Sequence, residues 1–328
     1  MTLSAVCLLG RAVLAQSADP MAELHSFSVF DKLSLDQIAA ADVKTAHGPP
    51  SSTGRFLSVQ SVYVVPGSPA QHLAALRAWK PTQHRELKIF MHEDFSSPSE
   101  SAFAAIKNAP ENSPVRTFVN NTAKMSNDIQ VSREEAGKFK GGADAKLNGA
   151  VGDFWMSVLS ARAKAFLSGG TSALPPYDHA GPVIRAGDEL NGLLREQGKI
   201  RKQFASFLDG TGIGRGAGSR PDSYWELQEV DDTAAATLGA FYSKSGGGGA
   251  QAAEVTYYSS GGYYAGLTLY QMWPVTANGK ASTLVWRGDM VSSATLSSLR
   301  GVEKLGSESA MMKNIGRVVT LFRKDSVR

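Results

Sequence analysis

Three strand-like segments rich in Tyr and Trp occupy the last third of the chain. They run over residues 223–230, over 253–273 with a break at Gly261-Gly262, and over 283–291. An Asn278-Gly279 pair, typical of a tight two-residue turn, joins the last two segments as a hairpin. This order of strands and turns predicts an antiparallel sheet.

A long amphipathic helix is predicted after these strands. Apolar residues recur at helical spacing from Leu299 to Phe322, with basic residues around this stripe. Gly306 could divide the helix in two, because Gly costs about 1 kcal/mol relative to Ala in a helix interior. A curved sheet closed by a helix can form a concave, aromatic-lined pocket. The predicted fold class is therefore α+β: a curved antiparallel sheet packed by a long C-terminal helix.

The first two thirds of the chain add further strands and a helical middle segment. Residues 152–209 carry apolar side chains at helical spacing and predict a set of helices. Alternation and short apolar runs predict strands at 55–65, 86–95, 118–124, 128–131 and 236–243. We expect one α+β domain over residues 16–328, in which the C-terminal sheet and helix occupy 223–325.

The N-terminal residues have the pattern of an export signal. Residues 3–14 are mostly apolar and lead through Val13-Leu14-Ala15 into a polar stretch. This predicts a cleaved signal peptide over residues 1–15 and a periplasmic or secreted protein. Arg11 interrupts the apolar run and no basic residue precedes it, so a frayed helix is the alternative. Cys7 is the only Cys, so the mature chain would have no disulfide and no Cys nucleophile.

The net charge and the hydropathy of the chain limit the classes of partner that we expect. A net charge of +4 over 328 residues, spread along the chain, does not form a nucleic-acid-binding footprint. No later apolar run has the length of a membrane-spanning helix, so no integral membrane segment is expected in the mature chain. The segment Gly210–Gly216 resembles a phosphate-binding loop, but a helix precedes it and a strand follows, which favours a flexible linker.

Two tripeptides carry polar groups of the kind that bind metal ions or polar ligands. In His92-Glu93-Asp94, the first and third side chains share a face of the strand, and a metal ion would need a further ligand such as His84. An ordinary solvated rim is the favoured interpretation. Arg287-Gly288-Asp289 lies within a predicted strand, where its two charged side chains share a face. No nucleophile motif, metal site or cofactor site is predicted.

Several motifs resemble those of a set of exported bacterial proteins without an assigned activity. They are Gly54-Arg55-Phe56, Leu73–Arg77, Gly169-Gly170, Ala173-Leu174, Tyr177-Asp178, Tyr257–Ser259, Gly262–Tyr264, Trp286–Asp289 and Arg300–Glu303. The order of elements is also similar to the helix-grip (START/SRPBCC-like) lipid-binding domains. That resemblance implies a domain that holds apolar ligands.

The functional hypothesis is binding of an apolar or amphipathic small molecule or lipid. The candidate ligand-binding residues lie on the last strands: Tyr258, Tyr264, Tyr270, Trp286, Arg287 and Asp289. An enzyme of unrecognised type is the alternative, with polar candidates His92, Asp94, Arg287 and Asp289. A third possibility is an envelope-interaction protein, for which an exposed aromatic patch would be the distinguishing feature.

Overall fold

The computed structural model describes residues 19–213, 216–246, 249–299 and 301–326. The predicted signal peptide at 1–15 lies outside the described residues. Within them, eight strands form one curved antiparallel sheet, in the order β1-β2-β8-β7-β6-β5-β4-β3. The strands are β1 (Lys44–His47), β2 (Phe56–Pro66), β3 (Ile89–Phe95), β4 (Asp222–Val230), β5 (Thr233–Gly246), β6 (Gly249–Ser259), β7 (Ala265–Ala277) and β8 (Lys280–Ser292).

Helices cover both faces of this sheet. The described α-helices are α1 (Pro20–Phe27), α2 (Leu35–Ala39), α3 (Pro69–Ala78), α4 (Ser113–Ala123), α5 (Arg133–Ala136), α6 (Ala150–Gly169), α7 (Ala186–Glu196), α8 (Gly198–Leu208), α9 (Ala294–Ser298) and α10 (Gly301–Ser326). Short 3-10 helices occupy Pro81–Gln83, Arg85–Leu87, Glu100–Asn108 and Gly170–Ala173. The predicted α+β class, with a sheet, a helical middle and a long C-terminal helix, is confirmed.

Tight two-residue turns join β7 to β8 and β4 to β5. Asn278 and Gly279 have φ values of 51° and 72°, which confirms the predicted hairpin turn between β7 and β8. Asp231 and Asp232, with φ values of 48° and 61°, make a similar turn between β4 and β5. Asp tolerates this left-handed conformation better than most residues, which suits it to such a turn.

The N-terminal strands flank this meander on both sides. β2 pairs with β8 along its whole length, from Phe56 opposite Ser292 to Pro66 opposite Ser282. β3 pairs with β4 at the other side of the sheet, where His92 lies opposite Glu226. The sheet is therefore completed by strands that are far apart in sequence.

The two faces of the sheet pack against different helices. On one, here called the core face, Trp225, Tyr257 and Trp286 belong to a large apolar cluster shared with α1, α4, α6, α7 and α8. On the other, here called the cavity face, Tyr63 and Tyr270 belong to a smaller cluster that residues of α3 and α10 complete. The C-terminal helix α10 is continuous, and Gly306 lies within it without dividing it.

Two strand predictions in the first half of the chain are wrong. Residues 118–124 fall largely in helix α4, whose start is fixed by Asn112, because its side chain accepts a hydrogen bond from the Val115 N–H. Pro114 suits the first turn of a helix because it has no N–H to satisfy. Residues 128–131 form no strand.

Two glycine-rich segments also differ from expectation. The segment 253–273 is two strands, β6 and β7, because the chain reverses at Gly261-Gly262, where Gly262 has a φ of 80°. The connector after α8 is anchored rather than free: the Thr171 N–H and hydroxyl donate to the carbonyl oxygens of Gly212 and Ile213, each at 2.8 Å. Among the described helices, none is both long and apolar enough to cross a membrane.

Candidate functional site

A cavity of about 1320 Å³, partly open to solvent, lies between the cavity face of the sheet and helices α3 and α10. Its apolar wall comes from the helices and the adjoining segment: Leu76, Trp79, Pro81, Val318, Val319 and Phe322. The Phe322 ring packs edge-on against Trp79, with ring centroids 5.7 Å apart. This volume exceeds that of a typical small-molecule pocket and offers a large apolar surface on one side.

The sheet supplies a polar floor opposite this wall. Side chains two apart on a strand share a face, so alternate residues of β3, β4, β6, β7 and β8 point into the cavity. The polar members are His92, Asp94, Tyr224, Glu226, Gln228, Glu254, Thr256, Tyr270 and Arg287. The cavity is therefore amphipathic, with an apolar wall and a hydrogen-bonding floor.

Glu254 is the carboxyl group at the centre of this floor. The Tyr270 hydroxyl donates a hydrogen bond to Glu254 Oε1 at 3.0 Å. Burial raises the pKa of Glu254, and the positive charge of Arg287 opposes that rise. The second carboxyl oxygen accepts no hydrogen bond from the described residues, so it remains available to a ligand.

Arg287 is held by Asp289 in a two-pronged ion pair. Its Nε lies 2.8 Å from Asp289 Oδ2, and its Nη2 lies 2.7 Å from Oδ1. The Thr268 hydroxyl also donates to Oδ1, at 3.0 Å. Although burial disfavours the guanidinium charge, Asp289 raises the pKa of Arg287 well above its usual value. The guanidinium also lies over the Tyr270 ring, 5.4 Å from its centroid.

His92 and Glu226 form a second polar pair near the cavity mouth. They face each other across β3 and β4, and His92 Nδ1 lies 2.8 Å from Glu226 Oε1. Burial lowers the pKa of His92, but the Glu226 carboxylate outweighs this effect and raises it overall. The His92 ring stacks on Tyr224 with centroids 5.2 Å apart. An imidazole oriented by a carboxylate in this way can accept or donate a proton.

Gly239 on β5 makes room for the Tyr224 ring between the two carboxyl groups. A Cβ added at Gly239 would lie 2.1 Å from Tyr224 Cζ, so the ring rests on the glycine backbone. Burial and the charges of Glu254 and Glu226 raise the pKa of Tyr224 well above its usual value. Tyr224 therefore stays a neutral phenol that can donate or accept a hydrogen bond in the cavity.

Three of the six predicted ligand-binding residues lie on the cavity face. Tyr270 and Arg287 line the cavity, and Asp289 fixes Arg287 beside it. The expectation that Arg287 and Asp289 share a face is confirmed, since the two side chains bond directly. His92 and Asp94 also share a face, with His92 Nε2 3.8 Å from Asp94 Oδ1.

The other three lie on the core face. The Trp286 indole donates to Gln60 Oε1 at 3.0 Å and packs against Phe27. The Tyr258 hydroxyl donates to the Gln130 carbonyl, and Arg162 lies 4.4 Å from the centroid of its ring. These contacts are those of core packing.

Tyr264 borders a separate, smaller space on the core side. This second cavity of about 430 Å³ is lined by Tyr264, Tyr177 and His179, among others. The Tyr264 ring stacks on Tyr177, with centroids 6.1 Å apart. The six residues therefore do not form one site, and ligand binding by them remains a prediction.

Sequence reasoning missed the acidic part of the floor. Alternation in β4 would have placed Tyr224 and Glu226 on one face, and Glu254 follows the same rule in β6. Alternation fails at Tyr257, which has no partner on β5 because the register shifts there. This bulge turns both Tyr257 and Tyr258 towards the core face.

The polar groups of the cavity do not form a metal site. In the described part of the chain, no group of three or more His, Cys, Asp or Glu side chains is placed to hold a metal ion. His84, considered as a third ligand beside His92 and Asp94, instead pairs with Asp325 at 2.6 Å.

Comparisons with known proteins give no family. No protein-family model and no curated protein matches the chain. A solved structure titled "Crystal structure of Ara h 8.0201" is similar over 34% of this chain and 70% of its own, at 9% sequence identity and a TM-score of 0.21. So low a score carries no argument about fold or function, and the site is interpreted from its own geometry.

Proposed function

We propose that this protein binds an amphipathic small molecule in the cavity between the sheet and helix α10. The observation that carries the proposal is that the helices line the cavity mainly with apolar side chains and the strands mainly with polar ones. A purely apolar ligand would leave Glu254 and its neighbours desolvated without a partner, which is costly. A molecule with one apolar and one polar end satisfies both sides.

The described surface does not favour the envelope-interaction alternative. Among the described side chains, Val183 is the only large hydrophobic one that is strongly exposed, at 56%. An exposed aromatic patch was the feature expected of such a protein. The aromatic side chains described here are instead packed in the two clusters or around the cavity.

The first test is native mass spectrometry of protein purified from its host, followed by solvent extraction. We expect one amphipathic molecule per chain. Val318→Trp should narrow the cavity at its apolar wall and lower the occupancy of the ligand, because Val318 lines the cavity from α10. Thr320→Trp is the matched control, since Thr320 is exposed on the same helix. Equal occupancy in both variants would contradict the proposal.

A second pair of variants separates the two faces of the sheet. Tyr270→Ala should weaken binding, because it removes the hydroxyl bonded to Glu254 and the ring under Arg287. Tyr264→Ala, on the core side, should leave binding unchanged. Weakening by Tyr264→Ala alone would place the ligand elsewhere.

We propose in addition that the protein is exported. The support is the apolar run that ends at Val13-Leu14-Ala15. N-terminal sequencing of the protein from its host should find a mature chain that starts near Gln16. An intact Met1 in cytoplasmic protein would overturn this proposal.

A further inference from the structure

We propose that the polar floor of the cavity selects a cationic head group, so that the preferred ligand is an amphipathic amine rather than a fatty acid. This inference rests on the proposed function. It adds the chemical class of the polar end and the residues that recognise it. Its support is that the cations of the cavity floor already have ion-pair partners, whereas carboxyl groups of the floor keep an oxygen without a hydrogen bond from the described residues.

The cations of the cavity are engaged or lie at its rim. Arg287 is committed to Asp289 through two short contacts. Lys88 pairs with Glu229 at the mouth, and Arg77 pairs with Asp222 at 3.2 Å. Each of these partners neutralises a charge that a ligand carboxylate would otherwise use.

Two further arginines lie at the outer edge of the cavity. Arg220 donates to the Ser96 carbonyl at 2.8 Å, and Arg317 is exposed on α10. An exposed cation interacts weakly with a ligand because water screens it. The floor itself therefore offers no unengaged cation among the described residues to an anionic head group.

The carboxyl groups of the floor, in contrast, keep acceptor capacity. Among the described residues, Glu254 bonds only the Tyr270 hydroxyl, and Glu226 bonds only His92, each through one oxygen. The second oxygen of each accepts no hydrogen bond from the described residues. A primary ammonium has three donors and no acceptor, so it complements a carboxyl oxygen that has no hydrogen bond.

Aromatic rings border the same region. Tyr224 lies on Gly239 between Glu226 and Glu254, and Tyr263 lines the cavity beside them. The Gln228 amide donates to the Tyr263 hydroxyl at 2.8 Å, which holds that ring in place. Aromatic faces attract cations through their quadrupole. Carboxylates and aromatic rings together suit an ammonium and repel a carboxylate.

The test compares three probes with the same apolar chain: dodecylammonium, dodecanoate and dodecan-1-ol. Each is titrated into the full chain at pH 7 by isothermal calorimetry, with the two ionic probes below their micelle concentrations and the alcohol below its solubility limit. We expect the ammonium to bind about tenfold more tightly than the other two, as a charge-assisted hydrogen bond implies. Glu254→Gln and, separately, Glu226→Gln should each lower ammonium affinity and leave the alcohol unchanged.

Glu93→Gln is the matched control, because Glu93 lies on β3 next to His92 but does not line the cavity. Circular dichroism and melting confirm that each variant is folded, and the Glu226 variant serves if the Glu254 variant is not. Equal binding of ammonium and dodecanoate, or an ammonium preference that survives both glutamine variants, would overturn the inference while the proposed function stands. If none of the three probes binds, the proposed function fails as well.

Discussion

At the scale of single residues, burial determines how much an ion pair contributes to the free energy of unfolding. Arg162 is fully buried, and its Nε and Nη2 lie 2.8 and 2.6 Å from the two oxygens of Glu135. Glu134, which precedes Glu135 in the sequence, forms an ion pair with Lys138 that is exposed to solvent. The two pairs are close together, yet only the first is shielded from water and salt.

We expect Arg162→Met to lower the free energy of unfolding by about 3–5 kcal/mol, because Glu135 would be left as an uncompensated buried charge. Lys138→Met is the control and should leave stability unchanged within error. Urea denaturation of both variants measures the difference. Similar midpoints for the two would show that the buried pair is not a major contributor.

The close contact between Gly239 and the Tyr224 ring predicts that a side chain at position 239 would destabilise the cavity floor. Gly239→Ala should lower stability by about 1–3 kcal/mol, because its Cβ would displace the Tyr224 ring. Gly266→Ala, on β7, is the control: its Cβ would lie 3.5 Å from Thr256, an ordinary contact. Thermal melts and probe titrations on both variants test this. An unperturbed Gly239→Ala would mean that the ring moves without cost.

At the scale of elements, helices α3 and α10 meet over the cavity face through His72. The His72 side chain is buried, lies 3.3 Å from the Tyr63 hydroxyl, and packs edge-on against Phe322. Burial, and then the nearby charge of Arg323, lower the pKa of His72 to about 4. The imidazole is therefore neutral in the folded protein at pH values where it is protonated in the unfolded chain.

This shift predicts a loss of stability in acid. The unfolded chain binds more protons than the folded one between about pH 6.5 and 4, so the contribution is complete above pH 6.5 and is lost as pH falls. At pH 5 the loss relative to neutral pH is about 2 kcal/mol. Denaturation at pH 7 and pH 5 measures it, and His72→Gln should remove it. The raised pKa of His92 changes stability in the opposite direction in both proteins. The test is therefore the difference in the pH 7 to pH 5 stability loss between the unchanged protein and the His72→Gln variant.

Element prediction succeeded where a local rule was decisive. The Asn278-Gly279 turn could be predicted because its backbone conformation excludes most residues. The helix at 113–123 was missed, because Phe118 and Val119 favour strands locally and tertiary packing overrides that preference. Of the candidate residues, Tyr258 lies on the core face because the bulge at Tyr257 changes the alternation that assigns faces.

At the scale of the whole molecule, the pairing of β2 with β8 could not be predicted. Periodicity identifies a strand and its faces, but it carries no information about a partner more than 200 residues away. The cavity depends on that pairing, since β2 places Tyr63 beside the strands that supply Tyr270 and Arg287. The chemistry of the floor was therefore only partly visible in sequence.

The same topology predicts that the two halves of the chain need each other. If the chain is divided between Gly214 and Arg215, neither fragment should fold cooperatively, because β2 and β3 pair with strands of the other fragment. Refolded together, the fragments should recover native-like circular dichroism and a cooperative melt. A cooperative transition in either fragment alone would contradict this expectation.

The separation of β2 and β8 in sequence also determines how long β2 exists during synthesis before β8 is made. Roughly 210 residues separate the end of β2 from the start of β8. At the usual rate of about 5–20 residues per second, β2 emerges from the ribosome about 10–40 s before its partner. During that interval β2 can pair only with the short strand β1, and its other edge stays exposed and can aggregate. A chaperone that shields residues 56–66 until translation ends would therefore raise the yield of folded protein.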